Sequence, residues 1–306
     1  MRFELTRDQR DFAASLDSLL AASDTAAVAR AWADGDHEPG LKLWARLAEQ
    51  GITMLATEAT PVEVVIAFEA LGKYAVPGPW VESAAFLPSL LGREIEGIAT
   101  VAAPPHVPLA LDADIADEVY LVADGAVRRA TVGAIHHSVD RTRRLFEVTG
   151  EDAVESGPPR FAVDLGVLAT AAQLLGLGER ILADSVTYVK QRKQFGREIG
   201  SYQAIKHALA DVRIALDFAR PLVYGAAIDT SRLNASTAKV ACSEAAYLAS
   251  RTGLQVHGAI GYTAEFDLSI WLTKVRALVS AWGTPAAHRQ IVLDSLVSTV
   301  STGREA

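Results

Sequence analysis

The spacing of apolar residues along the chain changes twice, which divides the sequence into three regions. Up to about residue 93, apolar residues recur every three or four positions, and this period predicts amphipathic helices that start at Thr6 and Thr60. Between residues 98 and 149, valine-rich alternation and the turn dipeptide Asp124-Gly125 predict short strands with a hairpin. Long apolar helical patterns then return. The chain is therefore expected to have an α+β fold that is predominantly helical.

These changes of pattern predict three domains. They are an N-terminal helical domain over residues 1–93, a small β domain over 94–162 and a C-terminal helical domain over 163–306. The long helices expected in the last domain cover residues 165–191, 203–229 and 236–253. With two shorter helices after them, they predict an arrangement like a four-helix bundle.

Composition and charge exclude several classes of function. The net charge of −8 over 306 residues, without a long basic run, argues against general binding of nucleic acids. The single cysteine, Cys242, excludes a disulfide framework and a thiolate metal cluster, and it fits a reducing cytoplasm. His136 and His137 would point to opposite faces of a strand, so no metal site is expected there. The charged N-terminus has no apolar signal segment, and we expect a cytoplasmic protein with no membrane span.

The first candidate site is a basic segment, residues 188–203. The pattern predicts a helix that breaks at Phe195-Gly196 and a new helix that begins at Gln203. Arg192 and Phe195 are three positions apart and would share a helical face. A guanidinium beside an aromatic ring suits a phosphate group attached to a flat heterocycle. The alternative is a helix end whose cations only complement the helix dipole.

The second candidate site is the segment 255–263, which is predicted to be a loop after the third long helix. Gly258 and Gly261 would let the backbone approach a ligand, and Gln255 offers an amide donor and acceptor. The alternative is a plain connection between helices. Because both segments belong to one bundle and both suit a dinucleotide, each strengthens the interpretation of the other.

The two segments resemble the two signatures of the acyl-CoA dehydrogenase flavoenzymes. The first is Arg-Lys-Gln-Phe-Gly at residues 192–196, followed by Gln203. The second is Gln-Val-His-Gly-Ala-x-Gly-Tyr-Thr-x-Glu at residues 255–265, which the family usually has with two adjacent glycines. Residues 69–79 and 139–144 are also similar to the family, so the resemblance covers essentially the whole chain.

The resemblance implies a subunit that assembles through its C-terminal helices, usually as a dimer of dimers, with FAD at a subunit interface. The positions that match the family's contacts to a neighbour's FAD are Arg192, Phe195, Gln203, Gln255, Gly258 and Ala259. The implied reaction is α,β-dehydrogenation of an acyl-CoA. In it, a carboxylate removes the α-proton and the flavin accepts a hydride from the β-carbon.

The sequence departs from the family at the catalytic base. Where the family has Glu-Gly-Thr, 27 residues after Gln255, this chain has Trp282-Gly283-Thr284. Some members carry the base ten residues before the position of Gly176, and here that residue is Gly166. The β domain is short and lacks the Thr-Glu-Pro/Gly-Ser-Asp pattern that cradles the flavin ring. No catalytic residue is therefore assigned in this chain.

Three hypotheses follow from the resemblance and its departures. The favoured one is a base-deficient subunit of a heteromeric α2β2 enzyme, similar to the short subunits of actinobacterial steroid-degrading acyl-CoA dehydrogenases. A full-length homologue would then bind most of the acyl-CoA, and an electron-acceptor protein would reoxidise the flavin. The second is an autonomous homo-oligomeric enzyme that uses Asp164 or Glu265 as its base. The third is a non-catalytic structural subunit that binds no flavin.

Overall fold

The computed structural model describes residues 4–156, 160–194 and 196–302. Helices form its N-terminal region: α1 (Arg7–Ala21), α2 (Thr25–Ala33), α3 (Glu38–Glu49), α4 (Leu55–Glu58), α5 (Pro61–Lys73) and α6 (Leu87–Leu91), with a π-helical turn at Glu82–Phe86 before α6. Thr6 and Thr60 begin α1 and α5 as predicted, each in a capping box with Gln9 or Glu63. The sequence pattern did not predict α2, which has only nine residues.

Five strands form one sheet: β1 (Ala99–Ala102), β2 (Ala110–Leu111), β3 (Glu118–Ala123), β4 (Ala126–His137) and β5 (Arg144–Ser156), in the order β1-β3-β4-β5-β2. β1 and β3 are parallel, and the other pairs are antiparallel. Asp124 and Gly125 both have positive φ, +52° and +74°, which matches the predicted two-residue hairpin turn. β4 is much longer than its pattern indicated, because its second half is exposed and its apolar residues do not alternate regularly with polar ones.

The C-terminal region consists of α7 (Arg160–Gln191), β6 (Lys193–Gln194), β7 (Arg197–Glu198), α8 (Gln203–Ile228), α9 (Arg232–His257), α10 (Leu268–Leu278) and α11 (Pro285–Thr302). α7 is the central helix, and it packs against α5, α8, α9 and α10. It is long and apolar enough to cross a membrane by length and composition, but 83% of its most apolar window is buried inside the protein.

Two glycines allow the N-terminal region to pack directly on the bundle. A Cβ at Gly176 of α7 would lie 1.9 Å from the carbonyl oxygen of Glu69, and one at Gly72 of α5 would lie 2.1 Å from that of Gln173. The two helix backbones therefore touch, which no residue with a side chain would permit. Arg220 of α8 reinforces the junction by pairing with Glu69 at 2.7 Å. The fold class thus agrees with the expected α+β, predominantly helical architecture.

Candidate functional site

The basic segment folds into a tight hairpin instead of continuing α7. α7 ends at Gln191, so the predicted break at Phe195-Gly196 was placed four residues too late. The amide of Arg192 closes the last helical bond to Tyr188 at 2.9 Å, and its carbonyl accepts from the amide of Ile199 at 2.9 Å. Gly196 turns the hairpin with a φ of +81°. Arg192 therefore lies outside α7, and the predicted helical face with Phe195 cannot be compared, because Phe195 lies outside the described residues.

This hairpin faces the end of α9 across a surface cavity of about 450 Å³. The cavity is lined by Gln194, Ile199, Tyr202, Ala204, Ile205, Ala208, Thr252, Gln255 and Val256. Gln203 begins α8 as predicted, and it stands exposed between two of the lining residues. The structure therefore brings the two candidate segments together, as expected of two parts of one ligand site.

The second segment begins as a helix and not as a loop. Gln255, Val256 and His257 form the last turn of α9, and the helix stops at Gly258 because that residue has a φ of +65°. The amide of Gly258 donates to the carbonyl of Leu254. Ala259 then lies exposed in a short 3-10 turn, Gly258–Tyr262. Helical geometry fixes the position of Gln255 more firmly than a loop would.

Two aromatic rings tie the segments to each other. The Tyr188 ring, near the end of α7, stacks on the ring of His257 with 4.2 Å between centroids. His257 Nδ1 lies 2.7 Å from the carbonyl oxygen of Gly253, to which it donates. Burial lowers the pKa of His257, which favours the neutral ring in this stack. The sequence did not predict this contact. Tyr188 and His257 lie in the two candidate segments, but no sequence pattern indicates that their rings stack.

The polar side chains at this end of the bundle are directed outward. The side chains of Arg192, Gln203 and Gln255 are all exposed, and none of these side chains has a hydrogen-bond or ion-pair partner in the described part of the chain. The space that a Cβ of Gly258 would take is open. A free guanidinium, two free amides and an accessible backbone are the donors that phosphate and nucleotide groups need. These residues therefore fit one half of a dinucleotide that arrives from outside the chain.

The two positions where a catalytic base would stand meet in space. Trp282 is 3% exposed and adopts a φ of +56°. A Cβ at Gly166 would lie 2.8 Å from Cζ3 of its indole ring. The indole Nε1 donates to Glu82 Oε1 at 3.2 Å, and the ring packs on Phe86 at 4.8 Å between centroids. Trp282 therefore occupies the space beside Gly166, and neither residue can accept a proton.

The turn that carries Trp282 is firmly held. The carbonyl of Trp282 accepts from His288 Nε2 at 2.9 Å, and that of Gly283 accepts from Lys239 Nζ at 3.2 Å. Both donors are buried, at 2% and 0% exposure. Burial lowers the pKa of Lys239 to about 7 and that of His288 to about 4. The indole is thus fixed in place by its backbone as well as by its ring contacts.

Neither alternative base from the sequence lies at this position. Asp164 is half-buried on α7 and lines none of the cavities beside Trp282, and Glu265 lines a separate cavity of about 420 Å³. The carboxylate that does adjoin Trp282 is Glu82, which is 2% exposed. Burial raises its pKa and favours the neutral acid. Sequence reasoning missed Glu82, because a lone glutamate in an apolar helix carries no motif.

Comparison with known proteins identifies the family of this chain. The family model for the acyl-CoA dehydrogenase C-terminal domain matches residues 162–297. Acyl-CoA dehydrogenase IpdE2 of Mycobacterium tuberculosis is 30% identical over 298 residues, which cover 88% of this chain and 91% of that protein. The chain therefore belongs to the acyl-CoA dehydrogenase family.

Two solved structures show the same fold. The ChsE4-ChsE5 complex from Mycobacterium tuberculosis matches with a TM-score of 0.78 at 20% identity, over 97% of this chain and 99% of that one. The Tcur3481-Tcur3483 steroid acyl-CoA dehydrogenase matches with a TM-score of 0.81 at 17% identity, over 96% and 99%. Both matches extend over all three regions of the chain, including the sheet.

Proposed function

We propose that this chain is a subunit of a heteromeric, flavin-dependent acyl-CoA dehydrogenase and completes the FAD site of a full-length partner. The observation that carries the proposal is the contact of Trp282 with Gly166. It removes both base positions from this chain's own cleft and fills the space between them. The outward-facing donors at the other end of the bundle remain in place. A chain with this combination contributes to catalysis at a neighbour's site.

The proposed cofactor contact is made by the exposed donors. Arg192 would pair with the pyrophosphate of the partner's FAD, because a guanidinium binds phosphate oxygens through two parallel hydrogen bonds. Gln203 and Gln255 would donate their amides, and the backbone at Gly258 and Ala259 would approach closely. Phe195 occupies the family's position for a ring contact. When bound, FAD supplies the hydride acceptor for α,β-dehydrogenation, while this chain's residues bind and orient it.

The exposed face of α8 supports an assembly through the C-terminal helices. Ile214, Phe218 and Leu222 follow one another at intervals of four and form an apolar stripe along this helix. The side chain of Phe218 is 72% exposed, which is unusual for a phenylalanine of a monomeric protein. A contiguous apolar stripe of this kind marks a protein interface. The proposed occupant is the full-length homologue, in an α2β2 tetramer.

The proposed substrate is a steroid-derived acyl-CoA, which the partner binds for the most part. The support is similarity to a structure that is called a steroid acyl-CoA dehydrogenase, together with the small sheet of this chain. A bulky polycyclic acyl group needs a wide pocket, which a shortened β domain in one subunit would provide. An electron-acceptor protein would then reoxidise the flavin. This assignment rests on analogy of fold and family.

Co-expression with the full-length homologue, followed by flavin counting, tests the proposal. We expect that this chain alone purifies without flavin and that the co-purified complex contains FAD and oxidises acyl-CoA. Stoichiometric FAD with full activity in the isolated chain would refute the proposal. If the complex forms without flavin, or if Arg192→Ala leaves its flavin content unchanged, the chain is a structural subunit.

One observation favours an autonomous enzyme as the second candidate. Glu82 is a carboxyl group beside the position of the missing base, although the sequence pointed to Asp164 or Glu265. In that case Glu82→Gln in the isolated chain would lower turnover by about 10²-fold or more, since removing a general base has this effect. Equal turnover of the isolated chain with and without this substitution would exclude Glu82 as a base.

A further inference from the structure

A surface cavity of about 610 Å³, the α9–α10 cavity, lies between these two helices. Gln255 lines both this cavity and the one beside the hairpin. Thr252 lines only the hairpin cavity and Arg251 only the α9–α10 cavity, and helical geometry puts these two residues on opposite sides of Gln255. Within the described part of the chain, the charged residues of the α9–α10 lining are Arg251 and Arg276, and the lining contains no carboxylate.

The two arginines of this cavity have no counter-ion among the described residues. Both are exposed, and neither forms an ion pair with a described carboxylate. Arg276 lies over the ring of Tyr247, with its guanidinium carbon 6.0 Å from the ring centroid. Arg289 of α11, in contrast, pairs with Glu244 of α9. Two like charges that converge on one cavity repel each other, so the cavity favours an anionic occupant.

The position of the cavity indicates where the anionic group comes from. Arg251 and Gln255 are four residues apart on α9 and therefore share a helical face. Under the proposed function Gln255 contacts the partner's FAD, so the helix also brings Arg251, about 6 Å away along its axis, to the partner's surface. The hairpin with Arg192 lies on the other side of Gln255. The dinucleotide is assigned to that side, and the α9–α10 side is left to the protein that surrounds the cofactor.

We propose that Arg251 and Arg276 form a docking site for acidic side chains of the full-length partner. A guanidinium pairs with a carboxylate through two parallel hydrogen bonds, which fix the direction of approach as well as the contact. Because the chain carries a net charge of −8, this positive cavity is a local exception that selects the orientation of an approaching acidic surface. The inference rests on the proposed function for the identity of the partner, and it adds a charged contact to the apolar stripe of α8.

Sedimentation of this chain with the full-length homologue, at low and at high salt, tests the docking site. Arg251→Glu should weaken their association about a hundredfold or more, because it places like charges against each other. Arg251→Gln should weaken association about tenfold, and Arg251→Lys, which keeps the charge but not the planar fork, should lose less than the Gln variant. Wild-type association should weaken as salt rises, and this dependence should be shallower for Arg251→Gln.

Arg232→Glu is the matched control. Arg232 is an exposed arginine at the first residue of α9, about 28 Å from Arg251 along the helix. The control variant should associate as the wild type does. The docking site is overturned if both Glu variants lose the same affinity or if salt leaves wild-type association unchanged. It is also overturned if Arg251→Glu lowers only the flavin content of the complex, because the arginine then binds the cofactor and not the partner protein.

Flavin counting in the same samples separates this inference from the proposed function. A flavin-containing complex that forms equally well with the wild type and with Arg251→Glu overturns the docking site alone. A complex that forms without flavin but is weakened by Arg251→Glu keeps the docking site and refutes the role at the cofactor. If no complex forms, both fail. If Arg251→Glu instead dissociates a self-associated form of the isolated chain, the occupant is a second copy, and the proposal is wrong.

Discussion

The polar groups at the two ends of the helical bundle differ in exposure and in hydrogen bonding. The side chains of Arg192, Gln203 and Gln255 are exposed and have no hydrogen-bond or ion-pair partner in the described part of the chain. Around Trp282, the polar groups are buried and bonded to one another: Glu82 to the indole, and His288 and Lys239 to the carbonyls of the turn. Buried polar groups with partners serve the fold, whereas free donors at a surface are available to a ligand.

Under the proposed function, this difference separates two halves of a flavin site. The half proposed to serve a neighbour has the matching residues Arg192, Gln203 and Gln255. The half that would serve this chain has an indole in the place of a carboxylate. Substitutions at the two ends should therefore affect different properties, flavin content at one end and stability at the other.

The largest effect is expected from Trp282→Ala. Removing a buried indole that packs on Phe86 and Gly166 should lower the free energy of unfolding by about 3–5 kcal/mol, measured by urea denaturation. Below the melting temperature, the flavin content of the complex should stay unchanged. Trp282→Phe, which keeps an aromatic ring, is the control and should cost less. Loss of flavin with intact stability would mean that Trp282 belongs to a working cofactor site.

His288→Gln tests the end of the bundle around Trp282 through the pH dependence of the free energy of unfolding. Burial lowers the pKa of His288 to about 4, from the ordinary 6.5. Between these values the unfolded chain binds a proton that the folded chain does not, so this group makes the free energy of unfolding rise with pH, by up to about 3 kcal/mol. The substitution should remove that rise.

The pH dependence of the wild-type free energy of unfolding does not isolate the contribution of His288. Burial raises the pKa of Asp112 to about 7, so the folded chain keeps a proton there that the unfolded chain releases, and stability falls as pH rises over the same window. The difference between wild type and His288→Gln, measured from pH 4 to pH 7, cancels the contribution of Asp112. A difference that does not change with pH would contradict the assignment of a buried neutral ring.

At the other end, Arg192→Ala should weaken FAD binding by the complex about tenfold to a hundredfold, as expected for the loss of a charge-assisted pair. Stability should change by less than about 0.5 kcal/mol, because the side chain is exposed and has no hydrogen-bond or ion-pair partner among the described residues. Lys206→Ala removes an exposed cation from the first turns of α8 and serves as the control. Equal flavin loss in both variants would indicate a general charge effect.

The smallest effect concerns assembly. Phe218→Ser should weaken association with the partner by about 1–2 kcal/mol, because burying a phenylalanine side chain contributes about that much. Sedimentation at several concentrations measures the shift, and the fold of the isolated chain should be unaffected. Leu41→Ser changes an exposed leucine of α3, outside the stripe, and should leave association unchanged. If neither substitution changes association with the partner, the stripe is not the interface.

The sequence predicted local features better than tertiary ones. Thr6, Thr60 and the Asp124-Gly125 turn were assigned correctly, because caps and tight turns depend on a few adjacent residues. The first long helix was expected over residues 165–191 and does end at Gln191, although the break was expected only at Phe195-Gly196, and α9 extends four residues beyond its expected end at residue 253. The amide of Ile199 donates to the carbonyl of Arg192 where the chain reverses. A helical period in the sequence does not indicate such a hydrogen bond.

In the candidate site, too, the sequence did not predict the tertiary contacts. Counting positions along the sequence identified Trp282 and Gly166 separately, but only the fold shows that they touch. Glu82 was missed because its significance lies in the indole that it faces, 200 positions away in the chain. The length of β4 was missed because an exposed strand without alternation has no apolar signature.

Flavin stoichiometry of the co-expressed complex tests most directly whether this chain acts on a neighbour's cofactor. Absorbance and protein quantification should give one FAD for each pair of one short and one full-length chain, and Arg192→Ala in the short chain alone should lower that stoichiometry. One FAD on every chain, or retention of the flavin after this substitution, would contradict the proposal that the short chain contributes its residues in trans.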